Sequence, residues 1–343
     1  MLGASTYNEI YLQPESFCGV AESLPGFFDV FERVFPYEVV IFTGCGSSYY
    51  LAHSASHIFA SLSGKYSMPV TCSDLFFSPK RYIGDKNTLV IPITRKSCTT
   101  EVRMAIERVR KLHNVKTLSI TCDPDSQSYN DYMVCSRDAH EESVVMTRSY
   151  SSMLYIAVIM SLYVANKKNE INVLKNISEV AKDVLPKVDS FTKNIVDETS
   201  NANLYVNLGQ GEFFGVASES MNKIKEMALV NTEAYQPLEY RHGPMSIADE
   251  NTLVLLFANR ACEDFELKLI AQLKSLGVYV AIIGENVDVF DAHYKMSLKL
   301  GFDDDLAVVL LSSFAGQLLG YHLAVRKGLD ADKPRNLAKA IVL

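Results

Sequence analysis

Two hydrophobic rhythms alternate along the chain. Continuous apolar runs at 38–43, 68–72, 88–93, 115–121 and 132–135 are separated by stretches in which apolar residues recur at helical spacing, most clearly at 99–112. Continuous runs of this length read as strands buried on both faces, and their alternation with helices predicts a parallel, doubly wound sheet. The first run ends in Gly44-Cys45-Gly46-Ser47-Ser48 and passes directly into a helical stretch at 49–62, the strand, glycine turn and helix that open such a sheet. Residues 6–34 read as an amphipathic helical lead-in, with breaks expected at Pro14 and Pro25.

After linking helices at about 149–193, apolar runs return at 204–211, 252–257 and 278–283. A shift of 165 residues lays Gly44 on Gly209, Gly46 on Gly211 and Arg95 on Arg260, so an internal duplication is expected. The predicted fold class is α/β: two tandem doubly wound parallel-sheet modules with flanking helices. The expected divisions are a lead-in at 1–35, a first module at 36–165, linking helices at 166–200, a second module at 201–330 and a C-terminal tail at 331–343.

Composition narrows the setting. With 343 residues, 48% of them hydrophobic, the chain is long enough for two domains around sizeable cores. A net charge of -7 argues against a nucleic-acid surface, so no nucleic-acid partner is expected. The seven cysteines include no C-x-x-C pair and read as reduced thiols, which fits a reducing cytoplasm. The start lacks a basic n-region and an apolar core, so no secretory signal is expected. The apolar run at 153–165, broken only by Ser161, is too short to span a bilayer and reads as a buried helix, so no membrane partner is expected either.

The most informative stretch lies in the second module. Glu219, Lys223 and Glu226 stand at i, i+4 and i+7, which puts acid, base and acid on one helix face while Met221, Ile224 and Ala228 turn elsewhere. On spacing alone, Glu219 and Lys223 are equally an ordinary helical ion pair worth a few tenths of a kcal/mol. Downstream, Arg241-His242-Gly243-Pro244 stops any helix and leaves a histidine in a turn, where neighbours can hold a proton shuttle.

The segment ESMNKIKEMALVNTEAYQPLEYRHGP, from Glu219 to Pro244, resembles the sugar-isomerase (SIS) family, and so does the ending Asp332-Lys-Pro-Arg-Asn-Leu-Ala-Lys339. Within that family the chain is most similar to the isomerase half of glucosamine-6-phosphate synthase and to stand-alone amino-sugar phosphate deaminases. The resemblance covers nearly the whole chain and implies a sugar phosphate as substrate. It assigns proton transfer to Glu226 and ring opening to His242, lent by the partner subunit, hence a homodimer. Lys339 falls on the tail lysine that closes over the sugar, and Glu219 takes a supporting place. The plainer alternatives are a buried core histidine at 242 and a solvated lysine at 339.

The duplication itself contrasts two loops. Thr94-Arg95-Lys96-Ser97-Cys98-Thr99-Thr100-Glu101 offers hydroxyls and two cations ahead of a helix whose free N–H groups attract anions. Its counterpart, 259–266, places Glu263 and Asp264 there instead, and these repel an anion. One phosphate site per chain is therefore expected, in the first module, on Thr94, Arg95, Lys96 and Thr99 with donors from Ser47 and Ser48. The plainer alternative is an ordinary helix cap at Thr99. The family's loop reads Ser-x-Ser-Gly-x-Ser/Thr, so Thr94 and Thr99 match while Lys96 and Ser97 depart. In the segment resembling the family's Val-Ala-Ser-Thr-Lys, Thr147 matches and Met146 replaces a serine near the sugar.

Interconverting a 2-amino aldose phosphate and a ketose phosphate needs a base for the C2 proton and an acid to return one at C1. A partly buried glutamate serves, because burial raises a carboxylate's pKa toward the working pH. Lys223, one turn before Glu226, is placed to hold it ionised or to stabilise a developing enolate oxygen. No metal or organic cofactor is expected. The synthase draws ammonia from a glutaminase whose nucleophilic cysteine follows the initiating methionine; Met1-Leu2 and the short lead-in carry none, so deamination of glucosamine 6-phosphate is the expected direction. The alternatives are a phosphosugar aldose–ketose isomerase or a fructosamine-6-phosphate deglycase, and a non-catalytic phosphosugar sensor.

Overall fold

A computed structural model describes residues 2–298, 300 and 305–342; Met1, Lys299, 301–304 and Leu343 of the lead-in, second module and tail fall outside that description. The chain divides into two units. One comprises Leu12–Glu141, Met146–Ser178 and Ala338–Leu343, the other Met1–Tyr11, Glu142–Val145 and Glu179–Leu337.

Each unit is built on a five-stranded parallel sheet. In the first, β1 (Val39–Gly44), β2 (Tyr66–Thr71), β3 (Thr88–Thr94), β4 (Val115–Thr121) and β5 (Tyr132–Cys135) lie in the order β2-β1-β3-β4-β5. In the second, β6 (Leu204–Gly209), β7 (Asn231–Tyr235), β8 (Thr252–Phe257), β9 (Tyr279–Gly284) and β10 (Tyr294–Ser297) lie in the order β10-β9-β8-β6-β7. Read from each module's first strand, these are one topology, the doubly wound 2-1-3-4-5 order. Such sheets bind ligands at the strands' carboxyl ends beside the switch point, here between the first and third strands of each module. β1, β3 and β8 are buried at every position, as continuous apolar strands covered on both faces must be. β3 even carries Pro92, and its pairing with β4 lapses from Ile91 to Pro92, where the ring leaves no N–H to donate.

The duplication is preserved in backbone detail. Gly46 (φ 55°, ψ -126°) and Gly211 (φ 62°, ψ -124°) precede the helices Ser47–Ser63 and Glu212–Ala228, which have 17 residues each. Both glycines sit where a side chain is strained. The helix Arg148–Val164 is buried from Arg148 through Leu162, in line with the buried reading of 153–165. One correction concerns the lead-in. It forms helices Ala4–Tyr11 and Gln13–Val34, so Pro14 marks a start, but Pro25 lies inside the second helix and does not break it. Without an N–H, Pro25 forfeits one helical bond, and the buried stripe of Phe17, Val20, Leu24, Phe27 and Phe31 carries the helix through.

The helix Asp305–Arg326 was not singled out by periodicity because it is apolar on all sides. Among the described residues it is long and apolar enough by composition to cross a membrane, yet 89% of its most apolar window is buried within the protein. It packs against Glu212–Ala228, and the fit depends on two glycines. A Cβ on Gly316 would stand 2.4 Å from Ser220 Cα, and one on Gly320 would stand 2.9 Å from the Lys223 carbonyl oxygen.

Candidate active site

The helix Glu212–Ala228 is fixed on one side by Asp305–Arg326 and on the other by β6. Ser220 Oγ donates to Asn207 Oδ1 at 2.6 Å, and Asn207 in turn donates to Thr232 Oγ1 at 3.1 Å on β7. One turn on, Lys223 is buried, its side chain 1% exposed, between two carboxylates: Glu219 Oε1 at 3.5 Å and Glu226 Oε2 at 2.5 Å. A buried ammonium persists only when paired, and the partners lie at the i−4 and i+3 positions that the spacing indicated. Glu226 keeps 20% of its side chain exposed and also accepts from Asn222 Nδ2 at 2.9 Å. Glu226 is therefore the reachable end of a Glu219–Lys223–Glu226 row. Asn222, which orients its second oxygen, was missed in the sequence because a lone amide beside a charged stripe has no distinguishing period.

His242 follows the short helix Pro237–Tyr240, in a turn where its N–H donates to the Glu239 carbonyl at 2.9 Å. Gly243, with φ 129°, releases the chain into the 3-10 turn Pro244–Ile247. The His242 side chain is exposed, so it is not a core histidine of this chain.

The remaining predicted residues gather in the other unit, at the ends of β1 and β3. Ser47 and Ser48 open the helix after the glycine turn and are 6% and 5% exposed. Thr94 ends β3, its hydroxyl donating to the Lys96 carbonyl at 2.7 Å, so the loop folds back on itself. Thr99 stands at the N-cap of the helix Thr100–Val109 but makes no side-chain cap bond; its hydroxyl leans 3.4 Å from the Lys96 carbonyl. The plain capping explanation for Thr99 is thus not the arrangement seen. Instead, the Ile341 carbonyl from the tail accepts the Thr100 N–H at 3.1 Å.

Arg95 faces inward. It donates to Glu141 Oε2 at 2.8 Å and to the Lys339 carbonyl at 3.0 Å, while Lys339 Nζ donates to the Glu141 carbonyl at 3.1 Å. Glu141 has no exposed side-chain surface and also accepts from the Thr147 N–H at 2.6 Å, the Ser149 N–H at 3.0 Å and Ser149 Oγ at 2.7 Å. Burial pushes its carboxyl pKa up, but the Arg95 guanidinium and the Ser149 bonds more than offset that and hold it below the ordinary carboxylate value. Thr147 therefore contributes to a carboxylate cradle that joins loop, tail and helix start. Lys96 lines an open groove of about 930 Å³ with Ser97, Arg103, Asp123 and His140. Asp123 Oδ2 accepts both the Ser97 N–H, at 2.8 Å, and the Ser97 hydroxyl, at 2.7 Å. The loop donors thus hold an internal carboxylate where the family's glycine would stand. Glu141 and Asp123 were missed because neither lies on a periodic stretch.

The second module's equivalent loop is closed by its own side chain. Glu266 is fully buried, accepts the Asn259 N–H at 3.3 Å and the Cys262 thiol at 3.2 Å, and has its carboxyl pushed up to about 7 by burial. Among the described residues no group of three or more His, Cys, Asp or Glu side chains is arranged to hold a metal.

Sheet order and paired glycine turns define an α/β protein of two tandem doubly wound modules, the second of which carries the acid–lysine–acid helix. Residues 38–165 match the SIS domain. The chain is 28% identical over 343 residues to glutamine–fructose-6-phosphate aminotransferase [isomerizing] of Sulfurisphaera tokodaii, covering 98% of this chain and 56% of that one. With the Buchnera aphidicola protein of the same name it shares 27% identity over 311 residues, covering 87% and 50%. It spans about half the length of these curated relatives. The structure of a glucosamine-6-phosphate deaminase from Thermotoga maritima superimposes with a TM-score of 0.82 at 28% identity, over 99% of this chain and 100% of that one. Tagatose-6-phosphate ketose/aldose isomerase from Escherichia coli shares the fold, with a TM-score of 0.85 at 23% identity over 99% and 97%. Residues 38–165 thus form a SIS domain, and the chain is homologous to the isomerase half of glutamine–fructose-6-phosphate aminotransferase.

Proposed function

We propose that this protein is an amino-sugar phosphate deaminase/isomerase that converts glucosamine 6-phosphate, or a close relative, to fructose 6-phosphate and ammonia. The observation that carries the reading is the 2.5 Å contact between buried Lys223 and partly exposed Glu226. It supplies a carboxylate anchored by a buried ammonium, with one face open to a substrate. Glu226 takes the C2 proton of the open-chain amino sugar and returns it at C1. Lys223 stabilises the negative charge that develops on the oxygen. The resulting 2-imine is hydrolysed by water, which releases ammonia and leaves the ketose. Thr99, Ser47 and Ser48 hold the phosphate, Lys339 closes over the sugar and Glu219 positions Lys223. The deaminase neighbour at 28% identity supports this direction.

The exposed turn that carries His242 supports a homodimer in which this histidine opens the ring in the partner's site. An equimolar mixture of His242→Ala and Glu226→Gln subunits, refolded together, then regains part of the activity that each lacks alone. A second reading, as a phosphosugar isomerase or fructosamine-6-phosphate deglycase, is favoured by one feature: Lys96 and Met146 stand where the family pattern has serines. Incubation with glucosamine 6-phosphate and galactosamine 6-phosphate, with coupled detection of ammonia, separates the two. Turnover lost on the order of 10² to 10⁴-fold in Glu226→Gln fits the deaminase. Turnover of neither sugar, alongside turnover of a non-amino or fructosamine phosphate, replaces it by the second reading.

A further inference from the structure

The turn that opens the first module's helix carries two thiols that the proposed reaction does not use. Strands β1 and β2 are parallel and in register up to Gly44 opposite Thr71. The next residue on each is a cysteine, Cys45 and Cys72. Neighbouring strands stand ~4.8 Å apart, within the ~4.4–6.8 Å Cα separation that a disulfide bridges. The side chains meet: the Cys72 thiol donates to the Cys45 sulfur, and Thr43 Oγ1 lies 3.4 Å from the Cys72 sulfur. Both cysteines are free thiols, Cys72 fully buried and Cys45 partly exposed.

We propose that Cys45 and Cys72 form a peroxide-oxidisable pair whose disulfide locks the Gly44–Ser48 turn. The two thiols divide the labour. The hydrogen bond from Cys72 lowers the Cys45 pKa, against the opposing effects of burial and of the Glu101 carboxylate; the same bond, with burial, raises that of Cys72. Cys45 is the more accessible thiol and the nucleophile, and Cys72 the resolving thiol. The Cys45 thiolate attacks one oxygen of hydrogen peroxide and the O–O bond breaks. The departing hydroxide takes up a proton to leave as water, and Cys45 becomes a sulfenic acid. The Cys72 sulfur then attacks the Cys45 sulfur, the S–O bond breaks, and the Cys72 proton leaves with that hydroxyl as a second water. Two thiols are oxidised by two electrons, one peroxide is reduced, and a dithiol reductant reverses the step by exchange.

The consequence follows the backbone. The Cys45 carbonyl accepts the Ser48 N–H at 3.2 Å, and Gly46 between them is held at φ 55°. Drawing Cys45 to Cys72 therefore moves the start of the helix that carries Ser47 and Ser48. That this weakens phosphate binding rests on the role proposed above for those serines.

The experiment treats the full chain with a small excess of hydrogen peroxide, then reads intact mass, a peptide map and glucosamine 6-phosphate binding by calorimetry. The proposal expects loss of two hydrogens, a Cys45–Cys72 linked peptide, and reversal by dithiothreitol. It further expects a roughly tenfold weaker Kd for the sugar phosphate, about one lost charge-assisted hydrogen bond. Cys72→Ala and, should burial make that variant unstable, Cys45→Ser both lose the linked peptide and keep their affinity through oxidation. A linkage through the exposed Cys18 or Cys98, or Cys45 gaining two oxygens with no linked species, overturns the pair. A disulfide that forms at 45–72 without weakening binding overturns the lock. If the reduced protein binds no sugar phosphate at all, the functional reading falls while the mass and peptide map still decide the thiol pair.

Discussion

Replacing Gly316 by alanine tests how closely catalysis depends on a helix contact away from the reacting groups. The added methyl falls 2.4 Å from both Cα and Oγ of Ser220 and 2.5 Å from its Cβ. Carbon atoms sit comfortably at ~3.5–4.0 Å, so the two helices must part by more than ~1 Å. Ser220 has little room to yield, since one clashing atom is backbone and its hydroxyl is held by Asn207 at 2.6 Å. Overpacking of this kind costs about 1–3 kcal/mol, and the better helix propensity of alanine returns about 1 kcal/mol. The expected result is a net loss of up to about 2 kcal/mol in urea unfolding. Gly26→Ala serves as the control, because its methyl meets nothing within 4 Å in the helix Gln13–Val34. That variant gains about 0.5–1 kcal/mol. The same displacement carries Lys223 and Glu226 with it, and a shift of ~1 Å at reacting groups lowers kcat by up to ~10². A Gly316→Ala protein as stable and as active as wild type would refute the argument, since it would show that the helices have slack.

Three further outcomes follow from the site. Glu266 has a folded pKa raised to about 7, so its contribution to stability is full below its ordinary value and is lost as pH rises through about 7. Glu266→Gln therefore gains on wild type from pH 5 to pH 8, by on the order of 3 kcal/mol, in urea titrations. Glu141, held below its ordinary value, contributes above that value and loses the contribution as pH falls through the lower folded one. Arg95→Met leaves Glu141 buried without its cation and costs about 3–5 kcal/mol near neutral pH, and adding Glu141→Gln restores much of the loss; equal stability of the single and double variants contradicts the pairing. Thr99→Ala raises KM roughly tenfold with kcat unchanged, whereas Asp264→Ala changes neither; steady-state kinetics with both variants checks the asymmetry between the loops.

Much of this architecture was legible because it rests on short-range rules. Buried parallel strands announce themselves as unbroken apolar runs, and Gly46 and Gly211 mark turns that few other residues can adopt. The Glu219, Lys223 and Glu226 face was readable because helical spacing alone brings the three together. What escaped were the contacts that join distant or irregular segments. Glu141 lies 46 residues from Arg95, and its five donors come from loop, helix start and turn, none of which has a period. The strands Asn231–Tyr235 and Tyr294–Ser297 were missed because they sit at sheet edges and keep polar residues. Pro25 misled because a local rule about helix breaking yielded to the burial of a long apolar stripe.

The two modules repeat one another, yet the chain does not divide into a front half and a back half. The opening helix Ala4–Tyr11 belongs with the second sheet, where Thr6 donates to Asp332 at 2.7 Å and Glu9 accepts the Ser143 N–H at 3.1 Å. Lys339 and Ile341 belong with the first. A single crossover between genes, at any position along the linking helices, therefore cannot exchange one module intact. It would give each hybrid an opening segment matched to one ancestor's second sheet and a tail matched to the other's first.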